Sequence, residues 1–336
     1  MNGMSILIAR VLKYVLITAI AFAPTVFIVP GAYGAAPEAA AVTREISLSG
    51  APVISVKGDP PSKYGDGRLA EFRGFADPCA RLDHDGKTIW LLYSWPHVRH
   101  MGGGPFDYAV GVETHLARSI DKGRTWEFVK ALWPKTPARY PVGMLRIKQD
   151  GFISHEVPNF VPCAIDGKKS WVAARGDYFL GRSGNYKARD NRSFCIRVTA
   201  AASPEELAAS PFVAIGLTLN SKECGIGVDL NKLSPDFPAV FIPMEPALYF
   251  RGGTLYLAFV CIAFDRVAPK LDKSFIAVIS TEPRGSVKDW KWKYLGKLAA
   301  SKEAAELGGE SLTQIELAEG RDGKRSEEHT SELQSH

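Results

Sequence analysis

Three acidic residues recur at matching points along this chain, each close to a proline and ahead of an apolar segment. Asp77 and Glu245 are followed directly by proline, and Glu156 stands two positions before Pro158. Hydrolysis of a glycosidic bond requires one protonated carboxyl group and one ionised carboxylate. Carboxyl groups held close together adopt these different states, because like charge raises one pKa. A single acid at a strand start is more often a turn or cap residue, so the interpretation depends on the repetition.

The acids belong to a longer repeat. The same order of acid, proline, apolar strand, glycine turn and second apolar strand recurs in segments 76–94, 155–174 and 244–260. Hairpin turns are signalled by Asp85-Gly86, Asp166-Gly167 and Gly252-Gly253. Two further strand-like segments follow each copy, which makes about four strands per repeat. This pattern predicts an all-β fold of the β-propeller class.

Several consequences follow from a propeller. Its innermost strands run the same way along a central channel, so Asp77, Glu156 and Glu245 are expected to converge at one mouth. The repeats are longer than the roughly 40–50 residues of compact blades, and segments 134–152 and 176–191 are candidate inserts between strands. A fourth copy begins at Glu310 and breaks off where its second strand is due. The sequence therefore predicts a truncated propeller of about three complete blades and the start of a fourth.

Composition narrows the functional classes. The chain has 336 residues, 46% of them hydrophobic, and a formal net charge of +5. No basic run interleaved with aromatic residues is present, which argues against nucleic-acid binding. The spacing of the five cysteines matches no zinc or redox motif. Metal-ligand spacing is also absent around His97, His100 and His115, so no metal or cofactor is predicted.

The termini are predicted to lie outside the fold. Residues 1–36 have the basic, apolar and small-residue order of a secretory signal, although an uncleaved membrane anchor is an alternative. Residues 37–48 are interpreted as a linker, and residues 49–324 as the propeller domain. Residues 325–336 resemble translated sequencing adapter and are interpreted as an artefactual tail. No later apolar run is long enough to span a bilayer, so the protein is expected to be secreted or periplasmic.

One turn resembles a known motif. The sequence Ser119-Ile-Asp121-Lys-Gly123-Arg-Thr125-Trp126 is similar to the Asp-box, or BNR repeat, of sialidases and related propellers. Asp121 is expected to accept backbone N–H bonds and Gly123 to supply a positive φ. The indole of Trp126 is expected to lie between sheets. The resemblance implies a propeller and a structural role for this turn.

A second resemblance concerns the acids. Ala76-Asp77-Pro78 with its following strands is similar to the opening blade of five-bladed arabinanase- and xylosidase-type hydrolases, and Glu245-Pro246 resembles their third-blade segment. The resemblance implies that Asp77 is the general base and Glu245 the general acid. In the second blade the family has an aspartate that modulates the acid. This chain differs from the family at that point, because it has His155-Glu156 in place of the aspartate. The resemblance then implies that Glu156 is the modulator.

Further positions are candidates for substrate binding. Phe72-Arg73 resembles the Phe-Arg-Ile-Pro strand of sialidases, which implies that Arg73 contacts a substrate carboxylate. Trp95 and His97 follow a predicted inner strand and are candidates for a sugar-stacking rim, with blade packing as the alternative. The sequence thus predicts an exported glycoside hydrolase acting on a carbohydrate substrate, of sialidase-like or arabinanase/xylosidase-like type. The alternative is a non-catalytic propeller that binds glycans or a protein.

Overall fold

The structure is a computed structural model that describes residues 55–59, 75–100, 108–142, 147–181, 194–217, 224–265, 268–269 and 273–300. From Val56 onward these residues belong to one compact unit, Val56–Ser335. The predicted signal, the linker, the fourth repeat and the tail lie outside the described residues. So does Arg73.

The first sheet, blade 1, is formed by five strands in the order β1-β5-β4-β3-β2. Its strands are β1 (Val56–Lys57), β2 (Ala76–Leu82), β3 (Ile89–His100), β4 (Tyr108–Ser119) and β5 (Trp126–Trp133). Neighbours from β2 to β5 are antiparallel, whereas β1 adds to the outer edge in parallel with β5. Consecutive antiparallel strands joined by short turns are the arrangement that the repeat predicts.

The second sheet, blade 2, has six strands in the order β11-β10-β9-β8-β7-β6. Its strands are β6 (Thr136–Val142), β7 (Ile147–Ile165), β8 (Lys168–Gly181), β9 (Cys195–Ala201), β10 (Phe212–Gly216) and β11 (Ile226–Asp229). A short helix α1 (Leu230–Leu233) follows, and the side chain of Asp229 caps it by accepting from the Asn231 amide.

The third sheet, blade 3, has the path β12-β13-β15-β16, with β14 paired to β13. Its strands are β12 (Phe241–Arg251), β13 (Thr254–Asp265), β14 (Ala268–Pro269), β15 (Phe275–Thr281) and β16 (Lys293–Ala300). No helix in the described part of the chain is long and apolar enough to cross a membrane.

The strand that carries the acid in each repeat (β2, β7 or β12) is called here the first strand of its blade. The blades stack with these first strands side by side, β2 against β7 and β7 against β12. Apolar side chains fill both spaces between blades. Phe160 and Trp171 of blade 2 pack with Trp90 and Leu92 of blade 1. On its other face, blade 2 packs against blade 3 around the fully buried Phe259. These two cores hold β2, β7 and β12 together and so bring the regions of the three acids to one place.

The sequence-based strands and turns are confirmed, and the candidate inserts are corrected. The candidate insert 134–152 consists largely of strand, because Thr136–Val142 is β6 and residues from Ile147 onward belong to β7, and the two strands pair. The strand β8 likewise continues to Gly181 opposite Gly151. A side chain at Gly151 would collide with the Leu180 carbonyl and the Phe179 ring, so glycine permits this close strand pairing.

The turn between β4 and β5 contains the Asp-box-like sequence. The Asp121 carboxylate accepts from the Thr125 hydroxyl at 2.6 Å, the Thr125 amide at 2.9 Å and the Ser119 hydroxyl at 2.8 Å. These bonds, led by that of the Thr125 hydroxyl, lower the pKa of Asp121 to about 2. Gly123 has a φ of +82°, and its carbonyl accepts from the Trp126 indole at 3.1 Å. The Trp126 ring is buried, so the turn anchors the outer hairpin of blade 1.

Candidate functional site

Each first strand is interrupted by a bulge at the residue before a proline. Asp77, Val157 and Glu245 have φ values of 49°, 50° and 53°. At each of these points the pairing with the second strand shifts register. Proline has no amide hydrogen for a ladder bond, so a bulge is where a strand tolerates it. A positive φ costs a residue other than glycine on the order of 1–2 kcal/mol, and such strain is concentrated at functional sites.

The bulges revise the alignment of the three acids. Asp77 and Glu245 occupy equivalent bulge positions, but the equivalent residue of blade 2 is Val157, not Glu156. Glu156 stands one residue earlier, outside the bulge. Its carboxylate accepts a hydrogen bond of 2.8 Å from the Tyr178 hydroxyl. The prediction of three matching carboxylates is therefore wrong in blade 2, because the sequence pattern does not show which residue is in the bulge.

Asp77 is held by two hydrogen-bond donors. Its carboxylate accepts from the Ser94 hydroxyl on β3 and from the Val157 amide on the neighbouring blade. The Val157 amide also approaches the Ser94 oxygen at 2.9 Å. Burial raises the pKa of Asp77, and the two hydrogen bonds oppose that rise by stabilising the ionised form. Ser94 thus joins the Asp77 carboxyl group to the bulge of blade 2.

Glu245 has the opposite environment. Only 8% of the residue is exposed, and its Oε2 atom has no hydrogen-bond partner among the described residues. Burial, followed by the negative charges of Asp77 and Glu156, raises the pKa of Glu245 to about 8. A buried carboxyl group without a donor favours the neutral form. The raised pKa therefore favours the protonated form of Glu245 at neutral pH.

Burial raises the pKa of both bulge carboxyls, but hydrogen bonds oppose that rise only at Asp77. Asp77 receives hydrogen bonds that stabilise its carboxylate, whereas the negative charges of Asp77 and Glu156 raise the pKa of Glu245 further. A difference of this kind between two neighbouring carboxyls is what acid and base roles require. The bulges create this difference by placing Asp77 beside Ser94 and leaving Oε2 of Glu245 without a partner among the described residues.

A buried ionic cluster lies beside Glu156 and was missed by the sequence analysis. The Asp177 carboxylate is 2.9 Å from Nε of Arg175, 2.7 Å from Nδ1 of His155 and 2.8 Å from Nε of Arg197. Burial alone raises the pKa of Asp177, but Arg175 and His155 outweigh burial and lower it to about 2. The Arg175 guanidinium also lies 4.2 Å above the Trp133 ring of blade 1. The sequence signal for this cluster is the presence of Arg175 and Asp177 within the largely apolar strand β8.

The structure buries the rim candidate Trp95. It is 7% exposed and stacks on the His115 ring at a centroid distance of 5.4 Å. This placement matches the alternative of blade packing. The backbone of His97 lies in β3 opposite Gly111, and its side chain lies outside what the structure describes.

His115 has its own acidic partners. Its Nδ1 is 2.8 Å from Asp59, and its Nε2 is 3.7 Å from Glu113. Burial opposes protonation, but the hydrogen bonds to Asp59 and Glu113 outweigh it and raise the pKa of His115. Among the described residues, no group of three or more His, Cys, Asp and Glu side chains is arranged to hold a metal ion.

No model of a known protein family matches the sequence, and a search of curated proteins finds no match. Solved structures with a similar arrangement include an α-L-arabinofuranosidase from Lactobacillus brevis, with 11% identity and a TM-score of 0.40 over 74% of this chain and 62% of that one. They also include the Trypanosoma rangeli sialidase, with 12% identity and a TM-score of 0.38 over 78% of this chain and 35% of that one. An α-L-arabinanase from Cellvibrio cellulosa has 11% identity and a TM-score of 0.30 over 66% and 60% of the two chains.

The chain thus spans less than two thirds of each of these three proteins. Its own sheet topology defines an all-β protein of the β-propeller class, with first strands packed side by side and antiparallel strands running outward.

Proposed function

We propose that this protein is a glycoside hydrolase in which Glu245 is the general acid and Asp77 is the ionised partner. The observation that carries the proposal is the contrast between the two bulge carboxyls. Glu245 is buried without a donor at Oε2, and Asp77 is hydrogen-bonded to Ser94 and to the Val157 amide. The activities of the similar solved structures belong to those proteins, and the proposal for this chain rests on its own residues.

Glu245 gives its proton to the glycosidic oxygen as the bond to the anomeric carbon breaks, so the leaving sugar departs as an alcohol. At the anomeric carbon, either water attacks while Asp77 takes its proton, or the Asp77 carboxylate attacks and forms a glycosyl ester. Water then hydrolyses that ester, with Glu245 as the base that takes the proton from the water. The charge of Glu156 contributes to the raised pKa of Glu245 and so keeps the acid protonated.

The test is hydrolysis of a panel of aryl glycosides that includes arabinosides, xylosides and sialosides. Glu245→Gln and Asp77→Asn should each lower kcat/KM on the accepted substrate by about 10²–10⁴-fold. Glu127→Gln is the matched control, since it removes a carboxylate whose side chain is 63% exposed on β5. Full activity in both site variants would overturn the assignment.

A non-catalytic glycan-binding propeller is the second candidate. The observation that favours it is the low exposure of Glu245, 8%, which restricts direct contact with a large substrate. This function predicts binding to glycans on an array without any product. It also predicts that Glu245→Gln retains binding.

We propose further that the protein is exported to the periplasm or the medium. The basic, apolar and small-residue order of residues 1–36 supports this. Expression of the full chain followed by fractionation and N-terminal sequencing tests it. Recovery of an uncleaved chain in the cytoplasm would contradict it.

A further inference from the structure

Two of the five cysteines lie against each other in blade 2. Cys195 begins β9, and Cys224 stands just before β11. They are 1% and 4% exposed and share a small buried cluster with Ala214. Their thiols are hydrogen-bonded to one another. Two hydrogen-bonded thiols inside one buried cluster are neighbours that a disulfide can join.

The local chain geometry explains the contact. Gly216, at the end of β10, leaves space that a side chain would fill, because a Cβ atom there would lie 2.9 Å from Cδ1 of Ile226 and 3.6 Å from Cβ of Cys195. Gly225 has a φ of +64° and turns the chain between Cys224 and β11. Together the two glycines allow Cys224 to fold back over the start of β9.

The remaining cysteines have different surroundings. Cys163 and Cys261 belong to the apolar core between blades 2 and 3, and burial raises the pKa of Cys163 to about 12. The Cys79 thiol contacts the Phe160 carbonyl at 3.9 Å. The pKa of the Cys224 thiol is also raised, and the hydrogen bond with Cys195 is the largest cause, followed by burial. A thiol with a raised pKa is a poor nucleophile toward soluble reagents. Cys224, however, already lies beside the Cys195 thiol with which it would react.

We propose that Cys195 and Cys224 form an intramolecular disulfide when the folding chain meets a disulfide oxidant, such as an oxidised dithiol protein or oxidised glutathione. One S–S bond forms and two S–H bonds are lost. The two electrons and two protons pass to the oxidant, which is reduced to two thiols. The bond closes a loop of about 30 residues that contains β10.

The bond would act next to the buried ionic cluster. Cys195 is the cross-strand partner of Asp177, and the Cys195 and Arg197 side chains are hydrogen-bonded. A covalent link to Cys224 holds β9 in the position in which Arg197 reaches Asp177. The proposal does not depend on the hydrolase assignment, since it concerns only the thiols of blade 2.

The experiment compares the full chain refolded with oxidised and reduced glutathione against the same chain kept in excess dithiothreitol. After oxidation, denaturation and alkylation, we expect three modified cysteines and one peptide pair that joins Cys195 to Cys224, whereas the reduced chain has all five modified. Cys195→Ser and Cys224→Ser should each abolish that pair, and Cys163→Ala should retain it. Five alkylated cysteines after oxidation, or a bond between any other pair, would overturn the proposal.

A second readout remains informative if a serine variant folds poorly. Reduction of the oxidised wild-type protein should lower its melting temperature by roughly 10 °C, from the loop length and the size of the unit. The same reduction should leave the melting temperature of the Cys195→Ser/Cys224→Ser double variant unchanged. Equal melting temperatures for oxidised and reduced wild-type protein would contradict a stabilising bond.

Discussion

At Glu245, burial and neighbouring charge act in the same direction. The carboxyl group has lost its water, its Oε2 atom has gained no described donor, and Asp77 and Glu156 add negative charge nearby. At Asp77 the same loss of water is opposed by Ser94 and by the amide of Val157. A single hydroxyl and a single amide therefore favour the ionised form of Asp77, whereas Oε2 of Glu245 has no such donor among the described residues.

The stability of the protein should depend on the titration of Glu245. Its pKa is raised from 4.5 to about 8, so between these values the folded state keeps a proton that the unfolded chain loses. This contribution is complete below pH 4.5 and is lost as the pH rises to about 8. Glu245→Gln should remove the part of the loss that Glu245 causes and stabilise the protein at pH 9 by on the order of 5 kcal/mol.

Urea unfolding at a series of pH values checks this expectation. Glu127→Gln, which removes an exposed carboxylate, should keep the wild-type dependence on pH. A wild-type stability that rises between pH 5 and 8, with no change on Glu245→Gln, would disprove the raised pKa.

Ser94 should tune the acidic limb of the activity profile. Ser94→Ala removes a donor to Asp77, so the pKa of Asp77 should rise further and the acidic limb of kcat/KM should move up by roughly 0.5–1 pH unit. The alkaline limb, which Glu245 determines, should stay in place. Ser280→Ala, a buried serine of β15, is the matched control and should shift neither limb. An unchanged acidic limb in active Ser94→Ala protein would refute the role of Ser94.

At the scale of elements, the bulges position site residues, whereas the turn between β4 and β5 stabilises a hairpin. The bulges in β2, β7 and β12 place non-glycine residues at positive φ and aim two of them at one site. The turn between β4 and β5 uses Gly123 for its positive φ and Asp121 for its hydrogen bonds. The strain in the bulges accompanies the acids, whereas the turn stabilises a hairpin far along the blade.

Gly123→Ala should therefore affect stability without affecting the site. A side chain at a φ of +82° costs about 1 kcal/mol, and the added Cβ would otherwise meet only Trp126 at 3.7 Å. Thermal unfolding should show the loss while kcat/KM stays within about twofold. Gly111→Ala is the control in the same blade, because Gly111 has no positive φ and an added Cβ would approach only the flexible Lys135 side chain, 3.3 Å from its Cδ. A change in kcat/KM that exceeds the change in stability would assign the turn a part in the site.

For the whole molecule, contacts between blades set the distance between the two bulge acids. The Asn159 side chain on β7 accepts from the Leu248 amide on β12 at 3.0 Å, and both groups are buried. In the other direction, the Val157 amide reaches Ser94 of blade 1. The strand β7 thus holds the strands of Asp77 and Glu245 on either side of it.

Asn159→Ala should loosen this arrangement. The Leu248 amide would lose its acceptor inside the core, which costs about 1–3 kcal/mol. Because Leu248 follows Glu245 by three residues, kcat should fall as well, and hydrogen exchange should accelerate in β12. Asn231→Ala removes an exposed hydrogen bond to the Pro238 carbonyl and serves as the control. Unchanged exchange in β12 would show that Asn159 does not join the blades.

The sequence by itself determined the strands, the hairpin turns and the repeat, because periodicity and turn chemistry are local. Both residues of Asp166-Gly167 and of Gly252-Gly253 have positive φ, as the dipeptides predict. Only the tertiary structure decided that Val157, one residue after Glu156, occupies the second bulge, since register depends on the partner strand. It also decided the protonation of Glu245 and gathered Asp177 with its arginines. Burial and charge at these residues come from chain segments that are distant in sequence and close only after folding.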